Sequence, residues 1–301
     1  VAQRAPQFAP NFARITIPIC GISTAAARRF ASVQDTEKAL AFTELAVGEA
    51  CLLQKLLLPR EPLRGPHFEI TYLVRTYTEV GGDFLDYFWL DDAKLGIYMG
   101  DVVGKGLPAA IYAGLAVGTL RAIKKTGQDP ATVLKQFNKR LMVRAVPSRY
   151  CASQYAVFDP VSLEIHVANA GLPLPMHLSP SGCSALGEGG LPSGLFEAAQ
   201  YEQYAFQLKP GDAVLIATDG LFEATNKHGE QLGMPRFTDL CAMLDYTKPD
   251  RFLRSIFRAI EDFTGGTQSD DMSAILLRVL SMEERAAREL QKSHEEQLGE
   301  K

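Results

Sequence analysis

The 301-residue chain has no C-x-x-C pair, no H-x-x-x-H pair, no long basic block and no apolar run long enough to span a bilayer. Each absence removes a class of function. The five cysteines, Cys20, Cys51, Cys151, Cys183 and Cys241, are scattered and odd in number, which argues against a zinc knuckle or a disulfide framework and suits a reducing compartment. The five dispersed histidines argue against a zinc hydrolase of the H-E-x-x-H type. A net charge of −4 makes nucleic acid a poor default partner. The most apolar stretch, Leu107 to Leu120, is too short to cross about 30 Å of hydrocarbon as a helix and reads as a buried core helix. These features lead to the expectation of a cytoplasmic protein.

What is present begins with a basic, acid-free start. Residues 1–34 carry Arg4, Arg14, Arg28 and Arg29 and no Asp or Glu. That composition suits a transit peptide, a linker or the remnant of an upstream domain. Residues 1–35 are therefore taken as an N-terminal extension. Over 36–58, Ala39, Phe42, Ala46, Ala50, Leu53 and Leu57 recur at three- and four-residue steps and predict a helix with one apolar stripe, stopped by Pro59. Such a helix either packs on a domain or pairs two chains, and residues 36–64 form a linker or regulatory segment.

A main domain is expected over 65–281. Strands are predicted at 68–75, 84–90 and 94–99, with a hairpin turn at Asp91-Asp92. Helices follow at 107–125 and at 130–145, the second opened by Asp129-Pro130 as N-cap and first-turn proline. Further strands are expected at 152–158, 163–168, 175–178, 201–208, 213–217 and 273–280. Two capping boxes are read: Thr247 with Asp250 before a helix to about 263, and Ser281 with Glu284 opening a charged, solvent-facing helix over 282–301. Strands and helices in this order suggest a layered α+β domain rather than regular βαβ winding.

Four short acidic stretches stand far apart: Gly81-Gly82-Asp83-Phe84, Gly100-Asp101-Val102, Thr218-Asp219-Gly220 and Ser269-Asp270-Asp271-Met272. Singly, an Asp beside Gly at a strand end is a turn residue. Jointly, separate strands that deliver carboxylates to one end would build an oxygen cage suited to Mg²⁺ or Mn²⁺. A buried group of unpaired carboxylates needs a cation. Two metals sharing a water would supply a hydroxide near neutral pH for attack on phosphorus.

The runs Val80 to Asp86 and Gly100 to Ala110 resemble the signature of the metal-dependent protein phosphatases (PPM), in particular their bacterial SpoIIE/RsbU-like branch. Asn169-Ala170-Gly171, Leu208 to Asp212, Thr218 to Ala224, Gly229-Glu230 with Gly233, and Ser269 to Ser273 match in the same order, so the resemblance covers about Leu56 to Leu280. It implies an αββα sandwich of two antiparallel sheets flanked by helices. It implies two Mn²⁺ or Mg²⁺ ions, with Asp101 bridging both, Asp83 and the Val102 carbonyl completing one site, and Asp219 and Asp270 holding the other. Asp271 is the alternative to Asp270. Asp101 and Asp219 are the expected catalytic residues. The implied function is serine/threonine phosphoprotein hydrolysis in a signalling or partner-switching pathway. Its substrate would be a phosphorylated protein such as an anti-sigma-factor antagonist, and a homodimer could form through the 36–58 helix. The chain departs from the family at Leu172, where His is frequent, and near Gly190 to Gly194, where the match is loose. Lys105 reads either as a phosphate contact or as a solvated surface lysine.

Gly81 to Phe84 lacks the fourth, acidic residue of a diguanylate cyclase motif, and Gly100 to Lys105 lacks the spacing and hydroxyl of a phosphate-binding loop. The rival from another class is a catalytically silent relative that binds phosphoproteins or senses signals.

Overall fold

Apolar runs become eleven strands in two sheets in the computed structural model, which describes residues 33–90, 93–123 and 129–299. Residues 1–32 of the N-terminal extension and the Asp91-Asp92 turn lie outside the described residues, and residues 33–35 already belong to the first helix. The chain divides into two units, Val1–Ala46 and Val47–Lys301. In the first, the described part is the start of helix α1 (Val33–Lys55).

The second unit is the sandwich. One sheet has the order β1 (Leu63–Arg64), β2 (Phe68–Arg75), β11 (Met272–Val279), β10 (Ala213–Ala217), β7 (Met176–Ser179), β8 (Gly182–Ala185). The other runs β3 (Phe84–Trp89), β4 (Leu95–Val102), β5 (Cys151–Asp159), β6 (Glu164–Ala170), β9 (Gln203–Gln207). All these pairings are antiparallel. Between the sheets, Phe68, Ile70, Leu85, Ile97, Met99, Phe158, Ile165, Val214, Ile216 and Leu277 form one core. Each such side chain, fully buried, contributes about 1.5–3 kcal/mol.

Helices cover both outer faces. Helix α2 (Leu107–Ile123) and α3 (Pro130–Met142) bury Ala113, Val117, Leu134 and Phe137 against the β3–β9 sheet. Helix α4 (Gly233–Met243) and α5 (Pro249–Thr264) bury Phe237, Phe252, Ile256 and Ile260 against the other. Covered on both faces, β10 and β11 are buried along their whole length, which is why they read as continuous apolar runs rather than alternating ones.

The predicted cap of α3 forms, with Asp129 accepting from the Thr132 amide at 2.9 Å and Pro130 in the first turn. The Ser281–Glu284 box forms in both directions before α6 (Met282–Gly299): the Ser281 amide donates to Glu284 at 2.9 Å and the Glu284 amide to Ser281 Oγ at 3.3 Å. The Thr247–Asp250 box does not form. Thr247 turns back to Asp245, and Asp250 accepts from Thr71 Oγ1 at 2.8 Å, so α5 starts at Pro249 without a side-chain cap. A tertiary partner outcompetes the local one. Helix α6 is not wholly solvent-facing, because Arg288 reaches Gly65 O at 2.7 Å and Glu69 at 2.8 Å. Of the apolar stripe expected along α1, the side chains of Ala39 and Phe42 lie outside the described residues, Ala46 and Leu53 are exposed, and Ala50 and Leu57 are half-buried, Leu57 against the α2 core. No helix of the described residues is long and apolar enough to cross a membrane.

Candidate metal centre

Strand register sets the first two acids side by side. β3 and β4 pair with Phe84 opposite Gly100, so the residues just beyond, Asp83 and Asp101, stand at the same end. Asp83 is 6% exposed and accepts from Thr218 Oγ1 at 3.0 Å, a bond that crosses from the end of β10 to the other sheet. Burial, then the charge of Asp101, pushes the Asp83 carboxyl well above the usual range. Burial, then the charges of Asp219, Asp270 and Asp271, pushes Asp101 up to about 7. Asp219 is raised by burial, then by Glu223 and Asp270. Like charges confined in a low-dielectric cleft favour protonation, and a bound cation would remove that penalty.

The glycines explain how the backbone enters this crowd. A Cβ on Gly82 would lie 2.9 Å from Val102 O and 3.3 Å from Asp101 Oδ1. The missing side chain therefore leaves a space bounded by a carbonyl and a carboxylate, both hard oxygen donors. A Cβ on Gly220 would lie 2.0 Å from Asp271 O, so only glycine lets the turn after Asp219 close onto the start of β11.

The acids of Ser269-Asp270-Asp271 divide. Asp271 is buried and accepts from the amides of Tyr77 at 2.7 Å and Gly82 at 2.6 Å, so its carboxylate holds the ligand loop. Asp270 is half exposed and pairs with Lys105 at 2.9 Å. The Lys105 ammonium also donates to Ser269 O and lies 5.1 Å over the Tyr77 ring. Thus Asp83, Asp101 and Val102 O are brought together, Asp219 and Asp270 act on Asp101 through their charge, and Asp270 is turned to a lysine. Among the described residues, no group of three or more His, Cys, Asp or Glu side chains is already gathered at metal-holding spacing. The donor chemistry of these oxygens still fits hard divalent ions.

Sequence reading gave no role to Thr218 or Ser273. Thr218 Oγ1 accepts from the Ser273 amide at 2.9 Å while donating to Asp83, which makes it the hinge pin between the sheets. The available signal was a hydroxyl directly before an acid at a strand end. Gln154 was also missed. It sits opposite Met99, one same-face step from the Asp101–Ala152 pair, and its buried amide has no protein partner.

Comparison with known proteins agrees with this architecture. Residues 91–280, more than half of the chain, match the family model "Stage II sporulation protein E (SpoIIE)". The chain is 24% identical over 202 residues to "Phosphoserine phosphatase RsbU" of Bacillus subtilis (strain 168), covering 66% of this chain and 60% of the relative. It is 24% identical over 170 residues to "Phosphoserine phosphatase RsbP" of the same organism, covering 55% and 42%. Both matches span less than two thirds of the relative's length. Among solved structures, the SiaA-PP2C domain of Pseudomonas aeruginosa superposes with a TM-score of 0.72 at 20% identity, covering 80% of this chain and 98% of that one. RsbX in complex with magnesium superposes with a TM-score of 0.55 at 15% identity, covering 73% and 98%. The two-sheet sandwich, the glycine-lined acid loops at its end and the matched span converge on one assignment: the chain belongs to the SpoIIE family.

Proposed function

We propose that this chain is a metal-dependent serine/threonine phosphoprotein phosphatase. One observation carries the reading: the Val102 carbonyl and the Asp101 carboxylate bound the space that Gly82 leaves open, beside Asp83 at the same end of the strands. Asp101 would serve both of two Mn²⁺ or Mg²⁺ ions, Asp83 and Val102 O one of them, and Asp219 and Asp270 the other. When bound, such ions supply Lewis acidity and a water-derived nucleophile near neutral pH.

The residues of this chain do the rest. Thr218 and the Asp271 carboxylate hold Asp83 and its loop in place. Lys105 stands at the rim with its side chain 45% exposed, where its charge would meet an entering phosphoryl group. Arg149 holds the loop after Asp101 through Val103 O at 2.7 Å.

The names of the relatives, phosphoserine phosphatases RsbU and RsbP, support phosphoserine as the group hydrolysed. A phosphorylated anti-sigma-factor antagonist is the proposed partner, in the cytoplasm, within a partner-switching pathway. The bare leucines of α1, Leu45, Leu52 and Leu53, support pairing of two chains through that helix. Residues 65–281 form the proposed catalytic domain, residues 36–64 its linker, and residues 1–35 and 282–301 its flanking extensions.

The test is release of inorganic phosphate from a phosphoserine protein and from an aryl phosphate, with Mn²⁺ and with chelator. Metal-dependent turnover is expected. A folded, metal-loaded chain that releases no phosphate from either would favour the silent binding module instead.

A further inference from the structure

The last turn of α1 grips the loop that carries Asp83. The Gln54 side-chain amide donates to Gly81 O at 2.6 Å and accepts from Gly81 N at 3.0 Å. One side chain thus occupies both backbone groups of one residue, 27 positions away in sequence. Gly81 is followed by Gly82, whose amide is held by Asp271, and then by Asp83. The loop is therefore pinned from two sides, by β11 through Asp271 and by α1 through Gln54.

The chain after Gln54 is tied to the other flank of Asp83. Arg121 donates to Leu57 O at 2.7 Å, and the same guanidinium binds the buried Asp86, three residues beyond Asp83 on β3, at 3.0 Å. Tyr72 donates to Pro59 O at 2.7 Å and Tyr87 to Glu61 O at 2.8 Å. Polar contacts fasten this segment, while Leu52, Leu53 and Leu56 beside Gln54 stay exposed. A helix that is poorly packed but tethered by directional bonds shifts at modest cost, and any shift of its end must break the two bonds to Gly81.

We propose that Gln54 is a positioning residue for the ligand loop: through Gly81 it sets where Asp83 stands relative to Asp101 and Val102 O, so divalent-metal affinity depends on the position of the end of α1. This rests on the metal-site reading above. A plain anchor for the helix would instead change only stability.

The experiment uses the full chain with Gln54→Ala and Gln54→Glu. The first removes both bonds. The second keeps an acceptor for Gly81 N but sets a carboxylate against Gly81 O. Mn²⁺ affinity is measured by calorimetry, and amide deuterium exchange over residues 79–86 is followed in chelator, without metal. Both variants are expected to bind Mn²⁺ about tenfold more weakly, at the lower end of the effect of removing a group that orients a ligand. Exchange should rise over 79–86 and not over 95–102. Wild-type Mn²⁺ affinity and wild-type exchange in either folded variant would overturn the inference and leave the metal site standing. Failure of the wild-type chain itself to bind Mn²⁺ would instead sink the reading on which it rests.

Discussion

The β3–β4 end and the β10–β11 end of the sandwich each supply two acids, and they hold them differently. Asp83 and Asp101 stand side by side at the strand ends, with Asp83 buried and held by Thr218. Asp219 opens a short turn, and Asp270 is half exposed and turned to Lys105. One half is the more tightly held, and the other the more exposed. Burial supplies precision at the cost of charge repulsion, while exposure lowers the repulsion and leaves geometry to be set by a ligand.

The largest test of that contrast is Asp101→Asn, because Asp101 is the ligand proposed to serve both metal sites. Loss of about 4 kcal/mol of transition-state stabilisation corresponds to a drop of ~10³-fold in kcat. Steady-state phosphate release at saturating Mn²⁺ checks it, and wild-type turnover would refute the assignment. Gly82→Ala addresses the more tightly held half alone. Its methyl group would meet Val102 O at 2.9 Å, and displacing that carbonyl is expected to lower kcat/KM about 10²-fold while leaving the fold intact by circular dichroism.

Proton linkage distinguishes the halves without turnover. Asp101 titrates at about 7 in the fold, against about 3.9 in an unfolded chain. Between those values the folded state holds the extra proton, so this group's contribution to stability is full below about 4 and is lost as pH rises through about 7. The Tm of metal-free protein in chelator should therefore carry a downward pH slope from Asp101. Asp101→Asn should flatten it, and Mn²⁺ should raise the wild-type Tm more at pH 7.5 than at pH 5. An identical slope in the variant would remove Asp101 from the account.

The smallest effect compares the two capping boxes. Ser281→Ala should cost about 1 kcal/mol of stability in denaturant melts, as loss of a formed N-cap does. Thr247→Ala removes a hydroxyl that caps nothing and should cost less.

Much of the scaffold was legible in the chain. Strand 68–75 and strand 213–217 coincide with their predicted limits, because apolar runs between turn residues report burial directly. Helix α4 and strand β8 were not legible. The helix starts at Gly233 with Leu232 as an N-cap that offers no side-chain bond, and β8 is four residues with its glycine and alanine ends exposed, so neither carries a strong local signal. The acids and their glycines could be picked out by their place at strand ends. Their division of labour could not. Asp271 looks like Asp270 in sequence, yet its carboxylate is spent on the amides of Tyr77 and Gly82.

By itself the sequence determined the layered α+β class, the strand ends that carry acid and the family pattern, since these follow from periodicity and local residue chemistry. Only the tertiary structure decided that Asp271 takes the Tyr77 and Gly82 amides, that Thr218 joins the two sheets, and that Gln54 holds Gly81. Those outcomes depend on contacts between residues 27 to 194 positions apart, which no local preference encodes.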